Sequence, residues 1–357
     1  GQGSLRQFIL NSNALPNTNL NQVPASSGGA DPAAGVETSI FMIPDGSADA
    51  GLTAYNATTN PGLISQLSGA TGGVGGTVAI ITPNTATNGA LPAITDANTS
   101  INALTQFQNI GNNNNVTLGT GGTVGVNATA LSQLDGPEVQ IVGTPGTTNS
   151  EFGLDVRANN TTITGISIYG FGNTQNNTGG GNIRVTSTTG GAALTGVSIT
   201  GNVIGTSASS FTDPGSTATR STGNGILLTV GGATTTAPFS VSITNNLIGY
   251  NGTGGVEALV DGTGNGTTTG LIISGNEIRG NAILGNTSDG VRLGYLGGFV
   301  RNNLFDSNRG PGIDITGTTA TVGGATITNN TINNNGLFGT GQTPGVRVDG
   351  ANNTITQ

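Results

Sequence analysis

The sequence predicts an all-β protein, a right-handed parallel β-helix (solenoid) with turns of about 27–30 residues and a short N-terminal capping helix. Two interleaved repeats carry that expectation. The phrase Val197-Ser-Ile-Thr-Gly-Asn202-Val-Ile204 returns as Val241-Ser-Ile-Thr-Asn-Asn246-Leu-Ile248 and Leu271-Ile-Ile-Ser-Gly-Asn276-Glu-Ile278. It comes again as Val300-Arg-Asn-Asn303-Leu-Phe305 and Ile327-Thr-Asn-Asn330-Thr-Ile332. The Asn positions lie 44, 30, 27 and 27 residues apart. Between them runs a second phrase: Gly153-Leu-Asp-Val156, Asn182-Ile-Arg-Val185, Gly225-Ile-Leu-Leu228, Gly255-Val-Glu-Ala258, Gly290-Val-Arg-Leu293, Gly312-Ile-Asp-Ile315 and Gly345-Val-Arg-Val348. Each period thus holds at least two short strands. A hairpin protein has no reason to return to one phrase at a fixed interval, whereas a coil stacks each turn on the last. A β-propeller blade needs ~40 residues and four strands, more than this period holds.

Composition agrees and removes much of enzymology. The chain has 357 residues, of which 64 are Gly and 43 are Asn, with Ile, Val and Thr in short alternating runs between them. That is the pattern of brief strands joined by turns rather than of a disordered chain. His, Cys, Trp and Lys are absent, and charged residues make up 7 %. Without them there is no Ser-His-Asp triad, Cys nucleophile, Schiff base, P-loop lysine or common zinc site. A net charge of -8 argues against nucleic acid and anionic lipid. No apolar run approaches the ~20 residues of a membrane span. The expectation is no cofactor, no dedicated metal site, no nucleic-acid partner and no membrane insertion. A chain free of Lys also points to export.

Residues 1–135 read as an N-terminal cap with irregular first turns, and 136–357 as the regular β-helix. Ser4-Leu-Arg-Gln7 has capping-box spacing, and Phe8, Ile9 and Leu15 follow at helical positions. A helix here covers the open end of the solenoid. Ser39–Ile43 and Thr77–Ile81 read as strands, and Asn112–Asn115 and the glycines at 118–125 as turns. The long first interval places a loop insertion near 206–222, a projecting element suited to binding or to a passive surface.

Alternation assigns the faces. Pairs such as Leu154/Val156, Ile183/Val185 and Ile313/Ile315 point inward and stack into aliphatic columns. Asn202, Asn246, Asn276, Asn303 and Asn330 fall at a bend, where stacked amides can form a ladder; the alternative is a turn-former tolerant of left-handed backbone. An earlier copy, Ile166-Ser-Ile168, has Phe171 where later copies carry Asn. The residue between the inward pair is expected to face solvent: Asp155, Arg184, Leu227, Glu257, Arg292, Asp314 and Arg347 in successive turns. Its last four members alternate in sign, so a slip by one turn would set like charges together. Such a column controls register; a ligand-binding stripe is the alternative.

Gly3-Ser-Leu-Arg-Gln-Phe-Ile-Leu-Asn-Ser-Asn13 resembles the opening motif of bacterial secreted right-handed parallel β-helix repeat proteins, a Gly- or Cys-Ser-Leu-Arg phrase followed by Ala-Ile and Ala-Asn. Ile81-Thr-Pro83, Leu91-Pro-Ala-Ile-Thr95, Leu104-Thr-Gln106 and Pro137-Glu-Val-Gln-Ile-Val-Gly143 are similar to its later landmarks, in the same order. Asn102-Ala103 departs from it, standing where Asp-Gly is common, and the strand that usually precedes Ser-Leu-Arg is missing. The resemblance implies an exported, cell-surface β-helix, often part of a longer polypeptide, and no particular activity.

These readings converge on a non-enzymatic extracellular structural protein, a subunit of a surface layer, fibre or filament. Its expected partners are further copies of itself, other surface components, or glycans. Candidate end-to-end joints are Leu5, Phe8 and Ile9 at one end and Asn353 and Ile355 at the other. The alternatives are the stalk or passenger of a larger adhesin, and a polysaccharide lyase or hydrolase. For the enzyme, the nearest approach to an acid–base cluster is Asp289, Asp306 and Asp314, with Arg292, Arg301 and Arg309 close in sequence.

Overall fold

A computed structural model of the chain describes residues 4–18, 20, 22, 32–47, 65–68, 77–83, 89–144, 151–172, 180–187, 193–215, 220–231, 239–261, 270–284, 288–294, 297–316, 324–336, 343–350 and 352–356. Among these residues three parallel sheets of nine, eight and seven strands wind into a parallel β-helix. The first sheet runs from Glu37–Thr38 and Thr99–Asn102 through Thr162–Thr164, Leu194–Thr200, Phe239–Thr244, Ile272–Ser274, Gly298–Arg301 and Ala325–Thr328 to Thr354–Thr356. The second runs from Ala79–Ile81 and Val139–Val142 through Ile166–Tyr169, Val203–Ile204, Leu247–Gly249, Glu277–Arg279 and Leu304–Asp306 to Thr331–Asn333. The third runs from Phe152–Val156 through Gly181–Thr186, Asn224–Gly231, Val256–Asp261, Val291–Gly294 and Ile313–Thr316 to Val346–Asp349. From Phe152 onward the chain visits third, first and second sheets in rotation, so each turn holds three strands. The first sequence phrase spans two of them, bent at its Asn.

Inward side chains stack rung on rung. Ile101, Ile163, Ile199, Ile243, Ile273 and Val300 form one fully buried column in the first sheet. Ile141, Ile168, Ile204, Ile248, Ile278 and Phe305 form another in the second. Each such side chain contributes about 1.5–3 kcal/mol of burial free energy.

The N-terminal helix α1, Leu5–Ser12, is capped by Ser4, whose Oγ accepts from the Gln7 amide at 3.2 Å. It lays Leu5 and Ile9 into the core, while Leu15 lies beyond its end and is exposed. Leu5 and Ile9 are therefore not joints: both are buried by this chain's own first turns, and Phe8 packs against the same core half-buried. A second helix, α2 at Leu104–Ile110, carries one of the sequence landmarks. Its Thr105 and Gln106 are buried, and they take the place of a strand partner for residues 41–43. Phe41 donates to Thr105 Oγ1 at 2.9 Å, and Ile43 donates to Gln106 Oε1 at 2.8 Å. The strand expected over 39–43 is displaced: the ladder is formed just before it, by Glu37–Thr38.

Residues 112–136, in which Asn112–Asn115 and the glycines at 118–125 are expected as turns, form an arm built from two antiparallel pairs, Thr117–Leu118 with Leu134–Asp135 and Thr123–Val124 with Thr129–Ala130. The arm lies along the outer face of the second sheet. Leu118 packs with Val203, Phe211 and Leu247. Further on, Thr120 bonds through its amide and hydroxyl to the Glu277 carboxylate at 2.6 and 2.7 Å. At the tip, Gly125 donates to Thr331 Oγ1 and Asn127 to Asn329 Oδ1, both at 2.9 Å. The base is anchored by Glu138, which accepts from the Asn113 and Asn114 amides.

The described part of the 206–222 insertion packs down rather than standing free. Thr206, Ala208 and Ser221 are fully buried, and Arg220 pairs with Asp213. Residues 216–219 lie outside the described residues.

Candidate functional site

Two Asn ladders flank the second sheet. In the first, Asn202, Asn246, Asn276 and Asn303 each donate through Nδ2 to Oδ1 of the Asn one turn on, at 3.0 Å throughout, ending at Asn330. The same oxygens accept the previous Asn's backbone amide at 2.9–3.0 Å. Each Nδ2 also reaches a strand carbonyl one turn back, as Asn246 does to Ile199 at 2.9 Å. The first four members are fully buried, so these bonds satisfy groups that have no water. The register sets Ile166, not Phe171, at the position before Asn202, and its amide bonds to Asn202 Oδ1. Left-handed backbone belongs to the residue before each Asn: Gly201, Asn245, Gly275, Asn302 and Asn329 all have positive φ.

A second ladder escapes a reading based on the first phrase. Asn251, Asn281, Asn308 and Asn335 stand five places behind the first set and link at 2.8–2.9 Å. Asn182 adds a fifth rung by donating to Asn251 at 2.8 Å. The signal was present in the sequence as the same intervals of 30, 27 and 27 residues.

The charge column is in register across the third sheet. Asp155, Arg184, Leu227, Glu257, Arg292, Asp314 and Arg347 occupy successive opposed positions. Arg184 forks onto Asp155 at 2.8 and 2.7 Å and lies 3.8 Å over the Phe152 ring. Arg292 reaches Glu257 at 3.4 Å and Asp314 at 3.9 Å, and Arg347 grips Asp314. The expectation of a solvent-facing column fails for its acids and for Leu227: Asp155 and Glu257 are 8 % exposed and Asp314 is 0 % exposed. The pairs therefore lie in a medium of low polarity, where attraction and desolvation are both large. Burial tends to raise the Asp155 carboxyl, but hydrogen bonds and charge from Arg184 and Arg157 outweigh it and hold it below the ordinary value. At Glu257 burial wins over Asn224 and Arg292, and the carboxyl is raised.

The carboxylates of the enzyme reading separate into two places. Asp289 and Asp314 meet beside the third sheet, buried together, with Asp289 Oδ1 lacking a hydrogen-bond partner. Asp306 lies on the second sheet instead, where it accepts from Arg279 Nε at 3.1 Å and from Asn333 Nδ2 at 3.0 Å. Arg301 is exposed on the first sheet.

Beside Asp306 opens a cavity of about 420 Å³ lined by Tyr250, Arg279, Ile283, Asp306, Ser307 and Arg309. Arg279 is held by Glu277 at 3.0 Å, by Asp306, and by Thr120 of the arm at 2.7 Å. Arg309 donates to the Ile283 carbonyl at 2.8 Å. Burial pushes the Tyr250 hydroxyl up, opposed by the charge and hydrogen bond of Arg279. At the far end of the coil, Ile355 is 55 % exposed, and Asn353 accepts from the Ala325 amide at 2.9 Å.

Set against family models, curated proteins and solved structures, the chain matches none of them.

Proposed function

We propose that this chain is a non-enzymatic extracellular structural protein, a β-helical rod that serves as a subunit of a surface layer, fibre or filament. One observation carries the reading: its largest polar constellations are engaged in bonds between successive turns. Two Asn ladders, the Asp155–Arg347 column and the Glu277–Arg279–Asp306 cluster all tie one turn to the next. Groups committed in this way stiffen a rod.

The described rungs nearest the C-terminus support association through that end. Val348 and Ile355 are exposed there, and Val346 and Ile332 are half-buried, in contrast to the covered Leu5 and Ile9. Another turn, from more of the polypeptide or from a second copy, would bury them. Light scattering behind size exclusion, over a concentration series, tests the reading. Growth into larger species that Ile355→Asp abolishes supports a self-associating subunit. A strict monomer at all concentrations overturns it in favour of the stalk of a larger adhesin.

A further inference from the structure

Tyr250 is at odds with its backbone. It has φ +59°, in the left-handed region, which a bulky aromatic residue rarely enters. The equivalent corner of other turns, one place before the second-ladder Asn, holds Gly280, Ser307 and Asn334, with positive φ at each. Small residues and Asn bear that conformation at little cost, whereas a strained aromatic persists only where its surroundings hold it, and such residues gather at ligand clamps.

The surroundings do hold it. Gly280, on the next turn, leaves room for the ring: a Cβ there would stand 2.6 Å from a Tyr250 ring carbon. From the insertion, Phe211 meets the ring edge-on at 5.7 Å between centroids and 70° between planes. The Arg279 guanidinium lies beside the Tyr250 hydroxyl. The ring is thus set as one wall of the 420 Å³ cavity, whose floor follows the coil axis through Gly280 and Ser307 to Asp306 and Arg309.

The charges of this floor cancel. Arg279 and Arg309 are matched by Glu277 and Asp306, and Arg279 contacts both acids directly. With these charges balanced and a net charge of -8 on the whole chain, an anionic ligand gains no attraction here. What remains is an aromatic ring beside fixed hydrogen-bonding groups, in a cavity within the usual ~300–1,000 Å³ of small-ligand sites. A pyranose ring has matching parts, a C–H face for the aromatic ring and a rim of hydroxyls for Asp306, Ser307 and Arg309. Tyr250, Arg279 and Asp306 come from three successive turns, ~4.8 Å apart. An extended sugar chain repeats on that scale.

We propose that the groove beside Tyr250 binds a segment of neutral polysaccharide, stacked on the Tyr250 ring and hydrogen-bonded to Asp306, Ser307 and Arg309. This goes beyond the structural reading, since a rod can carry the site whether or not it self-associates. The probes are cellohexaose, xylohexaose, mannohexaose and maltohexaose, with hexagalacturonate as the acidic comparator, titrated calorimetrically against the full chain. At least one neutral hexamer is expected to bind saturably. Tyr250→Gly should weaken it roughly tenfold or more while leaving the melting temperature unchanged or higher, because Gly relieves the strained corner. Asp306→Asn, which keeps the side-chain shape, should weaken binding as well, and Phe299→Ala on the first sheet should not. Failure of all four neutral hexamers, binding of hexagalacturonate alone, or full affinity in Tyr250→Gly overturns the proposal. If Tyr250→Gly does not fold, full affinity in Asp306→Asn overturns it instead.

Discussion

Asp289 meets Asp314 of the following turn, and both carboxyls are buried. Burial first, and then the neighbouring carboxylate, push Asp289 up to about 8, against the pull of Arg347 and Arg292. The folded chain therefore holds a proton that the unfolded chain releases near 3.8. Between those values the folded state binds more protons, so stability falls as pH rises through this window and the full cost is present above about 8. Asn cannot ionise, so Asp289→Asn should raise the melting temperature relative to wild type. Its advantage should grow from pH 4 to 8 and then level off. An equal difference at pH 4 and pH 9, by scanning calorimetry, would show that the pair does not share a proton.

The ladder amides should rank among the most costly side chains to remove. Asn276→Ala deletes the acceptor for two Asn246 groups and the donor to Asn303 and to the Ile243 carbonyl. With ~1–3 kcal/mol for each buried group left unsatisfied, the loss should reach at least about 3 kcal/mol. Asn281→Ala, in the second ladder, should cost as much. Asn333→Ala, outside both ladders, should stay near ~0.5 kcal/mol. Urea denaturation of the three variants orders them, and equal midpoints would deny the ladders their structural weight.

At Asp155, Arg184→Leu leaves a largely buried carboxylate with only Arg157 beside it and should cost about 2 kcal/mol. Adding Asp155→Leu should recover most of that, since Leu227 already shows an apolar residue in this column. The lowered carboxyl of Asp155 contributes stability that is present above its ordinary 3.8 and lost as pH falls through its folded value. The double variant should therefore lose less stability than wild type between pH 5 and 2. A double variant as weak as the single one contradicts this account.

The arm can be unseated at its tip. Gly125 has φ +66°, and a Cβ there would lie 2.1 Å from Asn329 Oδ1. Gly125→Val should free the tip from Thr331 and Asn329 while the coil beneath stays folded. Hydrogen exchange should quicken at residues 123–130, with the ladder amides of Asn276 and Asn303 still protected. Unchanged protection at 123–130 would mean that the tip does not depend on this contact.

The coil was legible because its cause is periodic. Inward Ile and Val, the bend Asn and the charged position recur at one interval, so Asn202 to Asn330 and Asp155 to Arg347 could be aligned without coordinates. The arm was not legible, because Thr120, Gly125 and Asn127 meet partners 157, 206 and 202 residues away through single contacts that repeat nothing. Burial of the charge column was hidden for a related reason: strict alternation marks Asp314 as outward, yet a column flanked by Asp289, Asn224 and Thr316 is enclosed by its neighbours. Tyr250 is not legible in the sequence, since its dihedral angle and not its residue type sets it apart.

The arm also changes how the rod yields to force. A stack of turns that touch only their neighbours peels from an end, one turn at a time, and its stability is a sum of local terms. Here a segment placed before the Val139–Val142 strand is fastened to Glu277 and Thr331, several turns further on. The turns that carry Glu277, Asn329 and Thr331 cannot leave without also breaking the arm's contacts at Thr120, Gly125 and Asn127. Pulled from its C-terminal end, the molecule should hold and then release many turns in one step, as a latch does, rather than unwind like a spring.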